Sequence, residues 1–176
     1  YDPGGYSRDS GYVNRDVFKQ DSPVVYGFEG DFTDKDERIV KEFVRVINEI
    51  IGYDFFSYST NSEAITIPIE LRECLSRRPY GDAWGTGSCA GYSGFYNLIE
   101  ESIWIDADLY GLERDHVLIH ELGHSLGLHH SSCIKSGLMS TENVTKNNSV
   151  NFTDFEIALI KFLYTPLEKI IDTDNP

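Results

Sequence analysis

Long apolar runs are missing from this sequence. No stretch approaches the roughly 20 consecutive apolar residues that a bilayer-spanning helix needs, so nothing in it reads as a membrane span. The first residues, Tyr1-Asp2-Pro3-Gly4-Gly5, carry neither the basic start nor the apolar core of a signal peptide. An exported protein of this sequence is therefore expected to be a mature or trimmed form. Cations are scarce: 15 Lys and Arg face 29 Asp and Glu, a net charge of −14. Phosphate backbones and anionic lipid repel such a chain, which sets nucleic acid and membrane aside as partners. The same balance keeps a surface soluble and attracts basic substrates or calcium. Cysteine occurs three times, at Cys74, Cys89 and Cys133. An odd count forbids complete intramolecular pairing, so at most one bridge forms and one thiol is left over. Cys74 and Cys89 bracket a Gly-rich stretch and are the expected pair; a bridge from Cys133 to either one is the alternative. Acceptor sequons at Asn143, Asn147 and Asn151 matter only in a eukaryotic secretory pathway. Repeats and interdomain linkers are absent as well, and 176 residues suit one domain.

What is present supplies a core: 40% of residues are hydrophobic and 13% aromatic. Residues 1–22, rich in Gly, Asp, Ser and Tyr, read as an extended arm. Residues 23–28 read as a first strand. A helix follows, with Thr33 as N-cap, acidic residues in its first turn and Gly52 as its stop. Ile39, Phe43, Val46, Ile47 and Ile50 recur along it at helical spacing. Residues 63–69 alternate, with Ile65, Ile67 and Ile69 on one face of a half-buried strand. The five glycines within 77–97 predict a long irregular segment with an edge strand. Ser102–Asp106 reads as another strand, 113–126 as a second helix, and 131–150 as polar loop. Thr153-Asp-Phe-Glu156 forms a capping box that opens a last helix, which ends before Pro166. Strands and helices in this order argue an α+β fold.

The chemistry concentrates in His120-Glu121-Leu122-Gly123-His124-Ser125-Leu126-Gly127-Leu128-His129-His130. Residues four apart share a helix face, so His120 and His124 can present two imidazoles to one metal ion. Glu121 lies about 100° further around the helix, placed to hold a water at that metal rather than to ligate it. Two histidines do not complete a site. Gly127 stands where a left-handed residue would turn the chain and return His130 as third ligand. Three nitrogen ligands and one open position describe a catalytic zinc, whereas a structural zinc is closed by four protein ligands. Glu121 is then the general base. The fixed positions of this motif co-occur by chance in roughly one chain of this length in 100,000, so coincidence does not account for it. Met139, the single methionine, lies nine residues beyond His130. His129 reads as a solvated neighbour. His116 precedes His120 by four residues on nearly the same helix face.

This motif with its downstream methionine resembles the metzincin metallopeptidases. Within them it resembles the matrixins, the family of the matrix metalloproteinases and their bacterial relatives. Ser131 after the third histidine is the matrixin choice, and Gly137-Leu138-Met139 resembles that family closely. Thr141 stands where astacins and serralysins carry tyrosine. Residues 24–71, including Phe55 and Phe56, are similar to the family's opening half. Residues 102–109 are similar to the strand that leads into its active-site helix, and 152–164 to its closing helix. The resemblance implies a twisted mixed β-sheet with two long helices, a zinc cleft and a small C-terminal subdomain ending in a helix. It divides the catalytic domain of 23–176 into an upper part to about residue 127 and a lower part over 128–176. It implies a secreted, monomeric zinc endopeptidase acting on polypeptides held as an extended strand, with Met139 in a Met-turn and Asp154 bracing that turn. It also places His116 in the pocket for the side chain just after the scissile bond, where a histidine would narrow the pocket and lend it pH dependence.

Several features depart from that family. There is no His-Gly-Asp segment of the kind that holds a structural zinc and calcium, and no cysteine-switch motif. Ser140-Thr141-Glu142-Asn143 replaces the Pro-x-Tyr wall of the specificity pocket, so substrate preference does not carry over. A second reading of the same residues is a scaffold that binds protein or glycan through its Gly- and Tyr-rich segments and has lost turnover.

Overall fold

Alternation between buried and half-buried positions sets the first strand, β1 (Val24–Glu29), with Val24 and Tyr26 turned into the core. The structure, a computed structural model, describes residues 19–73, 93–130, 137–139 and 150–165. The three cysteines and their expected pairing lie outside the described residues. So do most of the expected arm, the 77–92 part of the irregular segment, Ser131, Thr141 and most of the 131–150 loop.

Helix α1 (Asp34–Ile51) begins as its sequence directs. Thr33 and Asp36 form a reciprocal capping box, and Gly52 ends the helix at φ 81°, a left-handed conformation in which a Cβ is strained. Its buried stripe is Asp36, Val40, Phe43, Ile47 and Ile51. This corrects the expected stripe by a fraction of a turn: Phe43 and Ile47 are central, whereas Ile39 and Ile50 pack half-buried against the core and Val46 is half-buried.

Strand β2 (Phe56–Tyr58) carries no alternation long enough to announce itself. It is instead tethered by Asn48, whose side chain accepts from the N–H groups of Phe55 and Phe56 at 3.2 and 3.0 Å and donates to the Phe56 carbonyl at 2.7 Å. Strand β3 (Ile67–Arg72) starts later than the alternation of 63–69 implied, because Ser62–Ala64 close into a 3₁₀ turn capped by Asn61. Strand β4 (Gly94–Asn97) and strand β5 (Ser102–Asp106) form an antiparallel pair.

The sheet order is β2-β1-β3-β5-β4, with every pairing parallel except the last. This is the mixed sheet of the α+β expectation. Helix α2 (Gly111–Ser125) packs on β4 and β5, and α1 packs on β2, α2 and helix α3 (Asp154–Tyr164). Two ion pairs join α1 to α2: Lys35 with the buried Asp115, and Arg114 with the buried Asp36 at 3.1 Å. Tyr26, Phe43, Phe56 and Tyr164 interlock in the core through stacked and edge-on ring contacts. Among the described residues no helix is long and apolar enough to cross a membrane.

Candidate metal centre

Helix α2 carries His120 and His124 one turn apart, and its C-terminus is built to bring His130 back to them. Gly127 adopts φ 85°, its N–H donates to the His124 carbonyl at 2.9 Å, and the Leu128 N–H donates to the Gly123 carbonyl at 3.3 Å. This paired closure around a left-handed glycine is the Schellman arrangement, and it satisfies carbonyls that the helix end would otherwise orphan. The chain then reverses. Nε2 of His130 comes to 2.8 Å from Nε2 of His120 and 3.1 Å from Nε2 of His124.

The outer nitrogens decide what those inner ones are. Nδ1 of His120 donates to the Leu138 carbonyl at 2.9 Å, and Nδ1 of His124 donates to the Leu128 carbonyl at 2.8 Å. A carbonyl only accepts, so each Nδ1 carries the proton and each Nε2 is left with a lone pair. Burial disfavours the imidazolium, taking His120 down to about 4 and His124 down to about 3. Neutral imidazoles with lone pairs converging on one point repel one another unless a cation sits between them. The donor set therefore fits a metal ion, and His120, His124 and His130 are the cluster that could hold one among the described residues. Imidazole nitrogen suits zinc, whereas calcium takes oxygen ligands.

Glu121 is buried at 6% exposure beside this cluster. Burial pushes its carboxyl up to about 8, opposed by a hydrogen bond from the Tyr96 backbone N–H. A cation nearby pulls the other way. Strand β4 can come so close because residue 94 is glycine: a Cβ there would stand 2.7 Å from Glu121 Cγ and 2.9 Å from its Oε1.

Met139 is buried beneath the helix, again through a glycine, since a Cβ on Gly123 would stand 2.6 Å from the Met139 sulfur. The brace of this turn differs from the expectation. Asp154 is exposed; Glu156, 4% exposed, accepts the Met139 N–H at 2.9 Å while closing the α3 capping box with Thr153. Both acids lie in the first helical turn, but the N3 position points back across the helix start and so meets the turn.

His116 is buried at 6% exposure, its ring 6.0 Å from that of His120, so it is no solvated surface group. His129, next to the third histidine, is exposed. Sequence reasoning missed the carbonyls of Leu128 and Leu138, the approach glycines Gly94 and Gly123, and Glu156. A glycine inside the expected helix of 113–126, where it costs helix stability, was the available signal for Gly123.

An α+β domain with three converging imidazoles beside a buried carboxyl defines the class by its geometry: a candidate three-histidine metal centre on a mixed sheet. Comparison with known proteins agrees. The matrixin peptidase family model matches residues 29–165. Matrilysin of Rattus norvegicus is 28% identical over 141 residues, covering 76% of this chain and 52% of that protein. Matrilysin of Mus musculus is 27% identical over 139 residues, covering 73% and 50%. The chain thus spans about half the length of these curated relatives. It belongs to the matrixin peptidase family.

Proposed function

We propose that this chain is a secreted, monomeric zinc endopeptidase in which His120, His124 and His130 hold the metal and Glu121 is the general base. The observation that carries the reading is the convergence of the three Nε2 atoms, two of them fixed as lone-pair donors by carbonyls behind them. Zinc bound there would polarise the scissile carbonyl and acidify the attacking water. Glu121 takes the proton of that water and returns it to the leaving amine. Gly94 and the Tyr96 N–H fix the bearing of its carboxylate. Strand β4, at the end of the sheet order, offers its outer edge to an extended polypeptide. His116 lines the pocket for the residue after the scissile bond; its support is burial one turn before His120. In the same proposal Met139 is the apolar floor of the site. The cleft lies between an upper part that ends at Gly127 and a lower part from residue 128.

The test is hydrolysis of a quenched peptide by the zinc-loaded protein, with and without a chelator, beside Glu121→Ala. The expected outcome is chelator-sensitive cleavage in the parent and wild-type zinc content in the variant. Its turnover should fall by about a hundredfold or more. A variant that keeps more than about a tenth of the turnover removes the base role. A zinc-loaded parent that binds peptide without cutting it supports the non-catalytic scaffold instead.

A further inference from the structure

Gln20, four residues ahead of β1, is buried at 9% exposure, and nothing in the catalytic reading uses it. Its backbone N–H donates to the Tyr164 hydroxyl at 3.2 Å. Its amide nitrogen donates to the Tyr96 hydroxyl at 3.1 Å and lies 3.4 Å from the Ser125 carbonyl. The Ser125 carbonyl can only accept, so the amide nitrogen and not its oxygen faces this knot.

Each partner leads to the site. Ser125 follows His124 in the last turn of α2, where carbonyls lack helical donors. Its hydroxyl accepts from Tyr26 at 2.7 Å and donates to the Leu122 carbonyl at 2.7 Å. Tyr164, on α3, donates to the Leu126 carbonyl at 3.1 Å. Tyr96 sits on β4, and its backbone N–H donates to the Glu121 carboxylate. One residue therefore joins all three elements: its side-chain amide links the end of the histidine helix to the strand that touches Glu121, and its backbone N–H reaches the closing helix.

Strand β4 needs such an anchor. It is four residues long and pairs with β5 at the end of the sheet order. Glycine at 94 allows its close approach to α2, and the Tyr96 ring two residues on is buried. A strand free to drift by a few tenths of an ångström would take the Tyr96 N–H with it and loosen the carboxylate it holds.

We propose that Gln20 is a positioning residue for catalysis: by holding the Tyr96 hydroxyl against the end of α2 it fixes β4, and through the Tyr96 N–H it fixes Glu121. This rests on the reading of Glu121 as base. The segment ahead of the first strand then belongs to the catalytic frame.

The experiment compares zinc-loaded Gln20→Met, which keeps side-chain length and loses the amide, with Tyr96→Phe, which loses the hydroxyl and keeps the backbone N–H. Their double variant and Glu121→Ala complete the set. Gln20→Met and Tyr96→Phe should each lower kcat by about three- to tenfold, the range that one neutral hydrogen bond carries. KM should change little and zinc content not at all. The double variant should be no worse than the poorer single one, because both cut the same link. Unchanged kcat in folded, zinc-loaded single variants overturns the proposal, and so do losses that multiply in the double variant. If Gln20→Met does not fold, Tyr96→Phe decides by the same kcat criterion. An active Glu121→Ala overturns the base reading itself. An inactive one beside unchanged kcat in Tyr96→Phe overturns the role of Gln20 alone.

Discussion

Replacing Gly123 by alanine sets two effects of similar size against each other. Gly123 lies inside α2, and in an isolated helix Gly→Ala gains about 0.8–1.0 kcal/mol. Here the new Cβ would stand 2.6 Å from the Met139 sulfur and 3.1 Å from Leu138 Cδ2, far inside the ~3.5–4.0 Å of an ordinary contact. Met139 is 1% exposed and Leu138 5%, so neither can withdraw into solvent. Overpacking of this kind costs about 1–3 kcal/mol. The net expectation is a destabilisation of about 1 kcal/mol, read by calorimetry as a melting point about 2–4 °C lower. The displaced turn also carries the Leu138 carbonyl that orients His120, so zinc affinity should fall by about 10–100-fold. A melting point that rises by the helix-propensity gain, with zinc affinity intact, would refute the claim that Gly123 is there for close approach.

Zinc retention after dialysis, read by mass spectrometry, should collapse in His130→Ala and persist in His129→Ala, whose parent side chain is exposed; equal loss in both would defeat the ligand register. Glu156→Gln should cost about 1.5–3 kcal/mol in urea unfolding, because a buried carboxylate accepting from Met139 and Thr153 is lost. Exposed Asp154→Asn should cost no more than about 0.3–1 kcal/mol; the reverse order would restore Asp154 as the brace. His116→Leu should shift cleavage preference toward longer apolar side chains just after the scissile bond, and an unchanged profile on a peptide series varying there would remove His116 from that pocket.

Much of this architecture was legible from residues that act locally. Thr33, Gly52, Thr153 with Glu156, and Gly127 govern their own turns, and each stands where its chemistry placed it. The spacing of His120, His124 and His130 is likewise a property of one helix and the turn after it, and the three rings do converge. What stayed hidden depends on distant partners. Strand β2 owes its pairing to Asn48 on α1, and no period of two in Phe56–Tyr58 declares it. The buried stripe of α1 was misplaced because Ile39 and Val40 are equally apolar and only the neighbouring layers choose between them. Asp154 and Glu156 could not be ranked without knowing which side of the helix start the methionine turn approaches. Gln20 carries no motif, and its hydrogen bonds span 76, 105 and 144 residues of chain.

The Schellman closure at Gly127 has a thermodynamic consequence of its own. It lets the three converging imidazoles come from a single eleven-residue stretch, His120 to His130. Loop-closure entropy grows only with the logarithm of loop length, but it is smallest for short rings already bent by a left-handed residue. An ion gathering these side chains would constrain little chain that helix and turn had not constrained already. Ligation here would then strengthen one small cooperative unit of the native state, to which β1 is tied through Tyr26 and Ser125, and add little to the edge strand β2. Hydrogen exchange on either side of the metal-loading transition would accordingly differ most around α2 and its turn, and least at the far edge of the sheet.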